Sequence, residues 1–386
     1  MYAPWMYSAS SAATNVKLGI DGYSYDGVTS SEGLRRLANG SCHFACLDTA
    51  PSRADVEAMP SVWVVPMLAQ AVAIIINVPE LPESVLLNIT RAELADIFLG
   101  RIKQWAELAQ SNAMLQSVRQ NISLVVRADD SVVSLILSSA LSSFSQEWAG
   151  KVGASTSPKW PSKGKQWEGV AFSRDGDAAV SAQVLAKPYS LGYVSATYIK
   201  LTNGVAPMVA CISNKAGRFM PPTQVSVLAA MEAFAWRQRP KMGRTGSNVF
   251  YRSLVDPPEE ATDAYPMAGY TYLGFNPGKL DCAMLHDVMY LLVWSWRSEQ
   301  AAEIAVRLGT VPVPAAVYKK LIQFIGEIRC DGKSALNPVL KELLPKSCLP
   351  GNQIGFRALE IVASIRRQSG LGRLQVTGWT FLTSRT

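Results

Sequence analysis

Segments that predict β-strands alternate along most of the chain with segments that predict amphipathic helices, and this alternation restricts the fold more than any other feature. The clearest unit is "ISLVVR" (122–127), followed by a helix that begins at Ser131, where apolar residues recur at helical spacing. A second unit (177–195) predicts a helix, a turn at "KPYS" and a strand. Such alternation predicts an α/β sandwich with a mainly parallel sheet.

Capping residues and apolar periodicity place the other elements. The stretch 90–108 predicts a helix that is capped by Thr90 and interrupted at Gly100, and Glu93 completes a capping box with Thr90. The apolar run at 61–78 contains Pro66 and therefore predicts two buried strands around a turn. Further strands are predicted over residues 15–28 and 41–48, and further helices over residues 30–40, 222–237, 280–308 and 314–328.

Composition excludes several classes of protein. The 386 residues are enough for two packed units, and a hydrophobic share of 48% with 17% charged residues argues against wholesale disorder. The net charge of +7 is spread over short basic spots without interleaved aromatic residues, so no nucleic-acid partner is expected. No apolar run reaches the roughly 18–20 residues of a membrane helix. No secretory signal is visible in "MYAPWMYSASS", so the protein is cytosolic or its true beginning is missing.

The six cysteines and two histidines restrict the chemistry. No Cys-x-x-Cys pair is present, so no zinc site is expected. A disulfide between Cys330 and Cys348 could close a loop in an oxidising compartment, and six buried free thiols are the alternative. His43 and His286 stand in apolar segments and are expected in the core. No P-loop or GxGxxG motif appears, so we expect neither an enzyme nor a bound cofactor.

The stretch "VVRADDSVVSLILSSAL" (125–141) predicts a strand, a polar turn and a helix N-terminus. Helix N-termini hold anions because their free N–H groups and the helix dipole point toward the ligand. Arg127 fits such a site. Asp129 and Asp130 place two negative charges beside it.

Four segments in a fixed order resemble the phosphate-binding proteins of bacterial high-affinity phosphate uptake by ABC transporters. They are "ELADIFLGRIKQW" (93–105), "VVRADDSVVS" (125–134), "EWAGKVG" (147–153) with "KWP" (159–161), and "SLGYVSATY" (190–198). Upstream, "YDGVTSSEGLRRLANGSCHFACLD" (25–48) stands where that family has its first binding segment.

The resemblance implies the periplasmic-binding-protein fold, in which two α/β lobes enclose a ligand in the cleft between them. Lobe one would comprise residues 1–72 and 265–350, and lobe two residues 73–264. Residues 351–386 differ in character and would be a C-terminal appendage. The chain would first cross between the lobes near residues 70–76.

Carried over onto matching positions, the implied phosphate site comprises Ser30, Ser31, Asp48, Arg127, Asp129 and Ser131. The resemblance assigns charge-assisted hydrogen bonds to Arg127. It assigns to Asp48 the carboxylate that accepts the proton of hydrogen phosphate, which would favour phosphate over fully ionised sulfate. Ser131 and Ser30 would supply hydroxyl groups at helix starts, and Ser31 a backbone N–H group.

This chain departs from the family pattern Arg-x-Asp-Gly-Ser-Gly-Thr. Asp130 replaces a glycine, Val132 replaces another, and Val133 replaces the threonine, so a hydroxyl is lost and a branched side chain is gained. Glu32 stands where the family has glycine in the first motif. Both acidic residues are expected to add negative charge beside the anion.

The predicted function is therefore binding of inorganic phosphate or a related oxyanion, as the solute-binding component of phosphate uptake. The expected partner is a membrane transporter or receptor. The expected location is extracytoplasmic, with a signal segment that this sequence does not contain. The alternative is a degenerate binding-protein-like ectodomain with a sensory or structural role and no phosphate ligand. In that case Asp48 and Arg127 would form an ordinary ion pair with each other, and Ser30 and Ser131 would be helix N-caps without a ligand.

Overall fold

A computed structural model of the chain describes residues 26, 28–82, 85–161, 171–173, 176–201, 207–237, 248–251 and 253–343. Most of the strand predicted over 15–28 lies outside these residues, as do Cys348 and the predicted appendage. None of the helices in the described ranges combines the length and the apolar character needed to span a membrane.

Helices and strands alternate as predicted. The helices are α1 (Ser30–Asn39), α2 (Arg53–Ala58), α3 (Arg91–Leu99), α4 (Val132–Phe144), α5 (Gln146–Lys151), α6 (Gly176–Ala186), α7 (Ala196–Leu201), α8 (Gln224–Arg237), α9 (Cys282–Arg297), α10 (Glu299–Arg307), α11 (Ala315–Ile325) and α12 (Leu336–Leu343). Short 3₁₀ segments are Trp105–Leu108, Ala113–Leu115 and Pro277–Lys279. The strands are β1 (Phe44–Leu47), β2 (Trp63–Asn77), β3 (Leu87–Ile89), β4 (Ser123–Arg127), β5 (Ala171–Ser173), β6 (Ser190–Ser195), β7 (Met208–Ser213), β8 (Phe219–Met220), β9 (Ala268–Phe275), β10 (Val311–Pro312), β11 (Arg329–Cys330) and β12 (Lys333–Ser334).

Strand β2 is the element that joins the two halves of the fold. Its pairing with β9 extends to Ala71, and its pairing with β6 begins at Val72. The prediction of two strands around a turn at 61–78 is therefore wrong, since β2 is one strand of 15 residues. A register shift between Pro66 and Leu68 accommodates the proline, which has no N–H group to donate.

The main sheet is mixed, with the strand order β1-β9-β2-β6-β4-β5. Strand β2 is antiparallel to β6, β7, β9 and β10, whereas β4 is parallel to β5 and β6, and β3 is parallel to β7. The predicted mainly parallel sheet is wrong. Local alternation of helices and strands does not fix strand direction when the partners, such as β2 and β9, are far apart in sequence.

Local caps define the helix boundaries. The Thr90 capping box with Glu93 is confirmed, and Gly100 ends α3 in the left-handed region at φ 79°. The predicted long helix over 280–308 is two helices, because Ser298 ends α9 and its side chain caps α10.

Four aromatic side chains form a cluster that contacts β4 and α4 through Tyr193. Phe98, Trp148, Trp160 and Tyr193 have ring centroids 5.5–6.3 Å apart. The Tyr193 hydroxyl lies 2.8 Å from Ser134 Oγ and accepts the backbone N–H of the last β4 residue at 3.2 Å. This cluster fixes the end of β4 and the start of α4 relative to each other.

The predicted lobe boundaries stay a prediction, but two contacts bear on where the chain returns. Gln224 Nε2, at the start of α8, donates to the backbone carbonyls of Val306 and Thr310 at 2.9 Å each. The backbone N–H of Phe250 donates to the carbonyl of Val64 at 2.8 Å. Gln224 and Phe250, which the prediction assigns to lobe two, thus contact residues that it assigns to lobe one.

A disulfide joins Cys282 to Cys330, with their Cα atoms 5.7 Å apart. It overturns both the Cys330–Cys348 pairing and the alternative of six free thiols. The histidine expectation is also wrong, because His43 is exposed and His286 is only half-buried.

Candidate functional site

Arg127 ends β4, and two carboxylates hold its guanidinium. Nε donates to Asp129 Oδ1 at 3.1 Å and Nη2 donates to Asp129 Oδ2 at 2.6 Å, which is a bidentate fork. Nη1 donates to Asp177 Oδ1 at 2.6 Å. The side chains of Arg127 and Asp177 are only 10% and 11% exposed. The guanidinium is thus fixed in position.

The charge and donor capacity of Arg127 follow from these contacts. Burial acts to lower the pKa of Arg127, but the hydrogen bond that Arg127 donates to Asp129 and the charges of Asp177 and Asp129 outweigh it and raise the pKa above its ordinary value. A guanidinium has five N–H groups. Among the described residues, the carboxylates use three of them, which leaves two for an anion.

Asp177 is a site residue that sequence reasoning missed. It begins the first turn of α6 after Gly176, whose φ of 76° lies in the left-handed region. A Cβ atom at residue 176 would lie 3.3 Å from Arg127 Nη2, so glycine allows the guanidinium to approach closely. Burial raises the pKa of Asp177, although Arg127 and the backbone N–H of Ser195 favour its charged form. Because 50 residues separate Asp177 from Arg127, no local pattern marks it.

Ser131 is the N-cap of α4, as the sequence predicts. Its Oγ accepts the backbone N–H of Val133 at 3.1 Å, and its own N–H donates to the carbonyl of Thr156 at 2.9 Å. The Val133 side chain is buried in the core, whereas Val132 is half-buried. A threonine at position 133 would place a hydroxyl at this buried position.

Asp130 is exposed, and its carboxylate accepts the hydroxyl of Thr156 at 3.1 Å. Solvent screens an exposed charge strongly. The repulsion expected from Asp130 is accordingly smaller than its position in the motif suggests.

Ser30 and Asp48 lie together at the other end of the predicted site. The backbone N–H of Asp48, which directly follows β1, donates to Ser30 Oγ at 3.2 Å. The N-cap of α1 is Thr29, so Ser30 is the first helical residue rather than the predicted cap. Ser31 and Asp48 are exposed and can meet a ligand.

Glu32 does not act as a free negative charge. Its carboxylate accepts from Arg35 Nε and Nη2 at 2.7 Å each and from Arg36 Nε at 2.9 Å. The hydrogen bonds from Arg35 and Arg36 lower the pKa of Glu32 to about 2. The expected repulsion from Glu32 is offset by these two cations.

The predicted residues thus form two groups. Ser30, Ser31 and Asp48 belong to the part of the sheet that contains β1 and β9, while Arg127, Asp129 and Ser131 belong to the part that contains β4 and β6. Strand β2 lies between the two parts. One group offers a carboxylate acceptor, and the other offers a guanidinium that is held in position.

Comparisons with known proteins agree with this architecture. The sequence model of a family described as "PBP superfamily domain" matches residues 3–279. The chain is 28% identical over 316 residues to the phosphate-binding protein PstS of Pasteurella multocida, covering 80% of this chain and 84% of that protein. It is 29% identical over 287 residues to PstS of Methanocaldococcus jannaschii, covering 70% and 67%. The crystal structure of a phosphate-binding protein from Stenotrophomonas maltophilia superposes with a TM-score of 0.58 at 19% identity, covering 80% and 88%.

Proposed function

Because the chain belongs to the PBP superfamily, we propose that it binds inorganic phosphate or a related oxyanion between its two α/β lobes, as the solute-binding component of phosphate uptake. The observation that carries this proposal is the guanidinium of Arg127. Asp129 and Asp177 orient it, and two of its N–H groups are left for a ligand. PstS relatives carry the name of phosphate-binding proteins, which supports phosphate as the anion.

Each residue has a separate role in the proposal. Arg127 and the N-terminus of α4, capped by Ser131, donate to the phosphate oxygens. Asp48 accepts a phosphate proton, and sulfate has no proton to give at neutral pH. Ser30 and Ser31 complete the site from α1. Asp129 holds Arg127 and does not itself need to contact the anion.

The setting of the protein follows from the same family. We place it outside the cytoplasm, where it would deliver phosphate to a membrane transporter. The Cys282–Cys330 disulfide supports this location, because disulfides persist in oxidising compartments. The named relatives bind phosphate, so they favour this function over a sensory or structural ectodomain that has lost its ligand.

The direct test is calorimetric titration of the purified chain with phosphate, arsenate and sulfate. We expect saturable heat with phosphate and arsenate, which both keep a proton, and much weaker binding of sulfate. A flat phosphate titration on protein with a cooperative thermal unfolding transition would contradict the proposal. A folded chain that binds none of the three anions would be the ectodomain alternative.

A further inference from the structure

Two carboxylates contact Arg127, the cation of the candidate site. Asp129 occupies the Nε and Nη2 edge of Arg127, and Asp177 occupies Nη1. Salt-bridge distances are 2.6 Å on both sides. The three side chains together carry a net charge of −1 when all are ionised. An anion that reaches the two remaining N–H groups of Arg127 therefore meets a negative cluster.

We propose that Asp177 is a positioning residue that fixes Arg127 through Nη1 and, by its charge, makes the site select the singly charged, doubly protonated form of the oxyanion over the dianion. The inference rests on the proposed function and adds the charge state of its ligand. Asp129 alone would orient Arg127 and leave the pair neutral. The buried charge of Asp177 is what makes the cluster negative.

Burial makes this charge effective. The Asp177 side chain is 11% exposed and that of Arg127 is 10% exposed, so water screens the two charges poorly. Asp129 is 32% exposed and Asp130 is an exposed residue, so solvent screens their charges more strongly. A monoanion also carries a second hydroxyl, which one of the carboxylates can accept.

Among the residues that the structure describes, few titratable groups lie around Asp177. Arg127 on β4 and Asp129 in the following loop act on its carboxylate, and the backbone N–H of Ser195 at the end of β6 donates to it. Tyr193 on β6 stays neutral, since burial raises its pKa well above the ordinary value. Burial also raises the pKa of Asp177, so this carboxyl takes up a proton at higher pH than an ordinary aspartate.

The affinity for phosphate should depend on pH. As pH falls, phosphate gains a proton, and its repulsion by the carboxylates decreases. Binding should therefore tighten from about pH 8 to about pH 6. Asp177→Asn removes the charge and keeps an oxygen that can accept from Nη1. In that variant the affinity at about pH 8 should rise about tenfold, and the difference between the two pH values should shrink.

The experiment measures the phosphate Kd by calorimetry at both pH values for the parent, Asp177→Asn and Asp177→Glu. Asp263→Asn is the matched control, because Asp263 is exposed and pairs with Arg218 at 2.7 Å. We expect Asp177→Glu and the control to keep the parental pH dependence. We expect Asp177→Asn also to bind sulfate, a permanent dianion, about tenfold more tightly than the parent.

Three results would overturn the inference, and one of them would also overturn the proposed function. Binding of phosphate by the parent that is equal or tighter at the higher pH overturns the inference, whatever the variants do. An unchanged pH dependence in folded Asp177→Asn also overturns it, while the proposed function stands because the parent binds. If the parent binds phosphate at neither pH, the proposed function fails first and the inference fails with it.

Discussion

Arg91 Nη2 donates to the carboxylate of Asp256 at 2.6 Å, across 165 residues of chain. The Asp256 side chain is 1% exposed, and it also contacts Lys215 Nζ at 3.2 Å and the hydroxyl of Ser143. Arg91 begins α3 and Ser143 lies near the end of α4, so Asp256 ties the segment before β9 to two helices.

This cluster predicts a large stability effect at Asp256. The residue has φ 52°, a conformation that asparagine tolerates, so Asp256→Asn tests the charge without adding backbone strain. We expect urea denaturation to show a loss of about 3 kcal/mol in the free energy of unfolding, because Arg91 and Lys215 lose a buried partner. The exposed pair of Asp263 with Arg218 should lose less than about 1 kcal/mol in Asp263→Asn. Equal losses in the two variants would contradict the role of Asp256.

Arg127→Lys should separate charge from geometry in the candidate site. Lysine keeps the positive charge but cannot make the bidentate fork to Asp129 or offer two directed N–H groups. A charge-assisted hydrogen bond contributes about 1.5–3 kcal/mol, so calorimetry should show phosphate affinity lower by about tenfold or more. The thermal unfolding transition should persist. Parental affinity in this variant would place the anion site elsewhere.

Asp48→Asn should change selectivity more than stability. The side chain is exposed and follows β1, so its replacement leaves the core intact. If Asp48 accepts the phosphate proton, the amide variant should bind phosphate less tightly and sulfate no worse, and the ratio of the two dissociation constants should approach one. Competition titrations measure this ratio, and a parental ratio would remove Asp48 from the site.

The departures from the family pattern in the 130–133 loop can be tested with a double variant and a single variant. Asp130→Gly together with Val132→Gly should tighten phosphate binding, because a charge and a half-buried branched side chain are removed. Val133→Thr should not tighten it further and should cost about 1–3 kcal/mol in stability, since its hydroxyl would enter the core. Calorimetry measures the affinity, and denaturation measures the stability, of the double variant and of Val133→Thr. A gain in affinity from Val133→Thr alone would show that residue 133 faces the anion.

The Glu32 pairs give a prediction at acid pH. The pKa of Glu32 is about 2 in the folded chain against an ordinary value of 4.5, so its contribution to stability is present above pH 4.5 and is lost as pH falls toward about 2. At neutral pH the free energy of unfolding of Glu32→Gln should therefore be lower than that of the parent. The two values should converge at about pH 2. If the stability difference between the two proteins stayed constant over that range, the ion pairs of Glu32 with Arg35 and Arg36 would be contradicted.

The features that the sequence predicted correctly depend on residues a few positions apart. The Thr90–Glu93 capping box and the cap of Ser131 on α4 each join residues within one turn of helix. The order of strands and helices follows from apolar periodicity over the same short range. Such features hold because a cap or an amphipathic face needs little beyond its own segment.

Other features depend on which distant segments pack together. Strand β2 changes partner between Ala71 and Val72 without a turn, because β9 and β6 supply the hydrogen bonds on either side of that point. Asp177 reaches Arg127 only because α6 packs beside β4 and β6.

Asp130 and Glu32 look alike in the sequence as unwanted charges. The pairing of Glu32 with Arg35 and Arg36 is local, at i+3 and i+4 along one helix, whereas the exposure of Asp130 and the burial of Asp177 against Arg127 are set by the assembled fold. Burial and the pairing of charges that are distant in sequence are properties of that fold, so the tertiary structure decides how strongly the charges around Arg127 act on an anion.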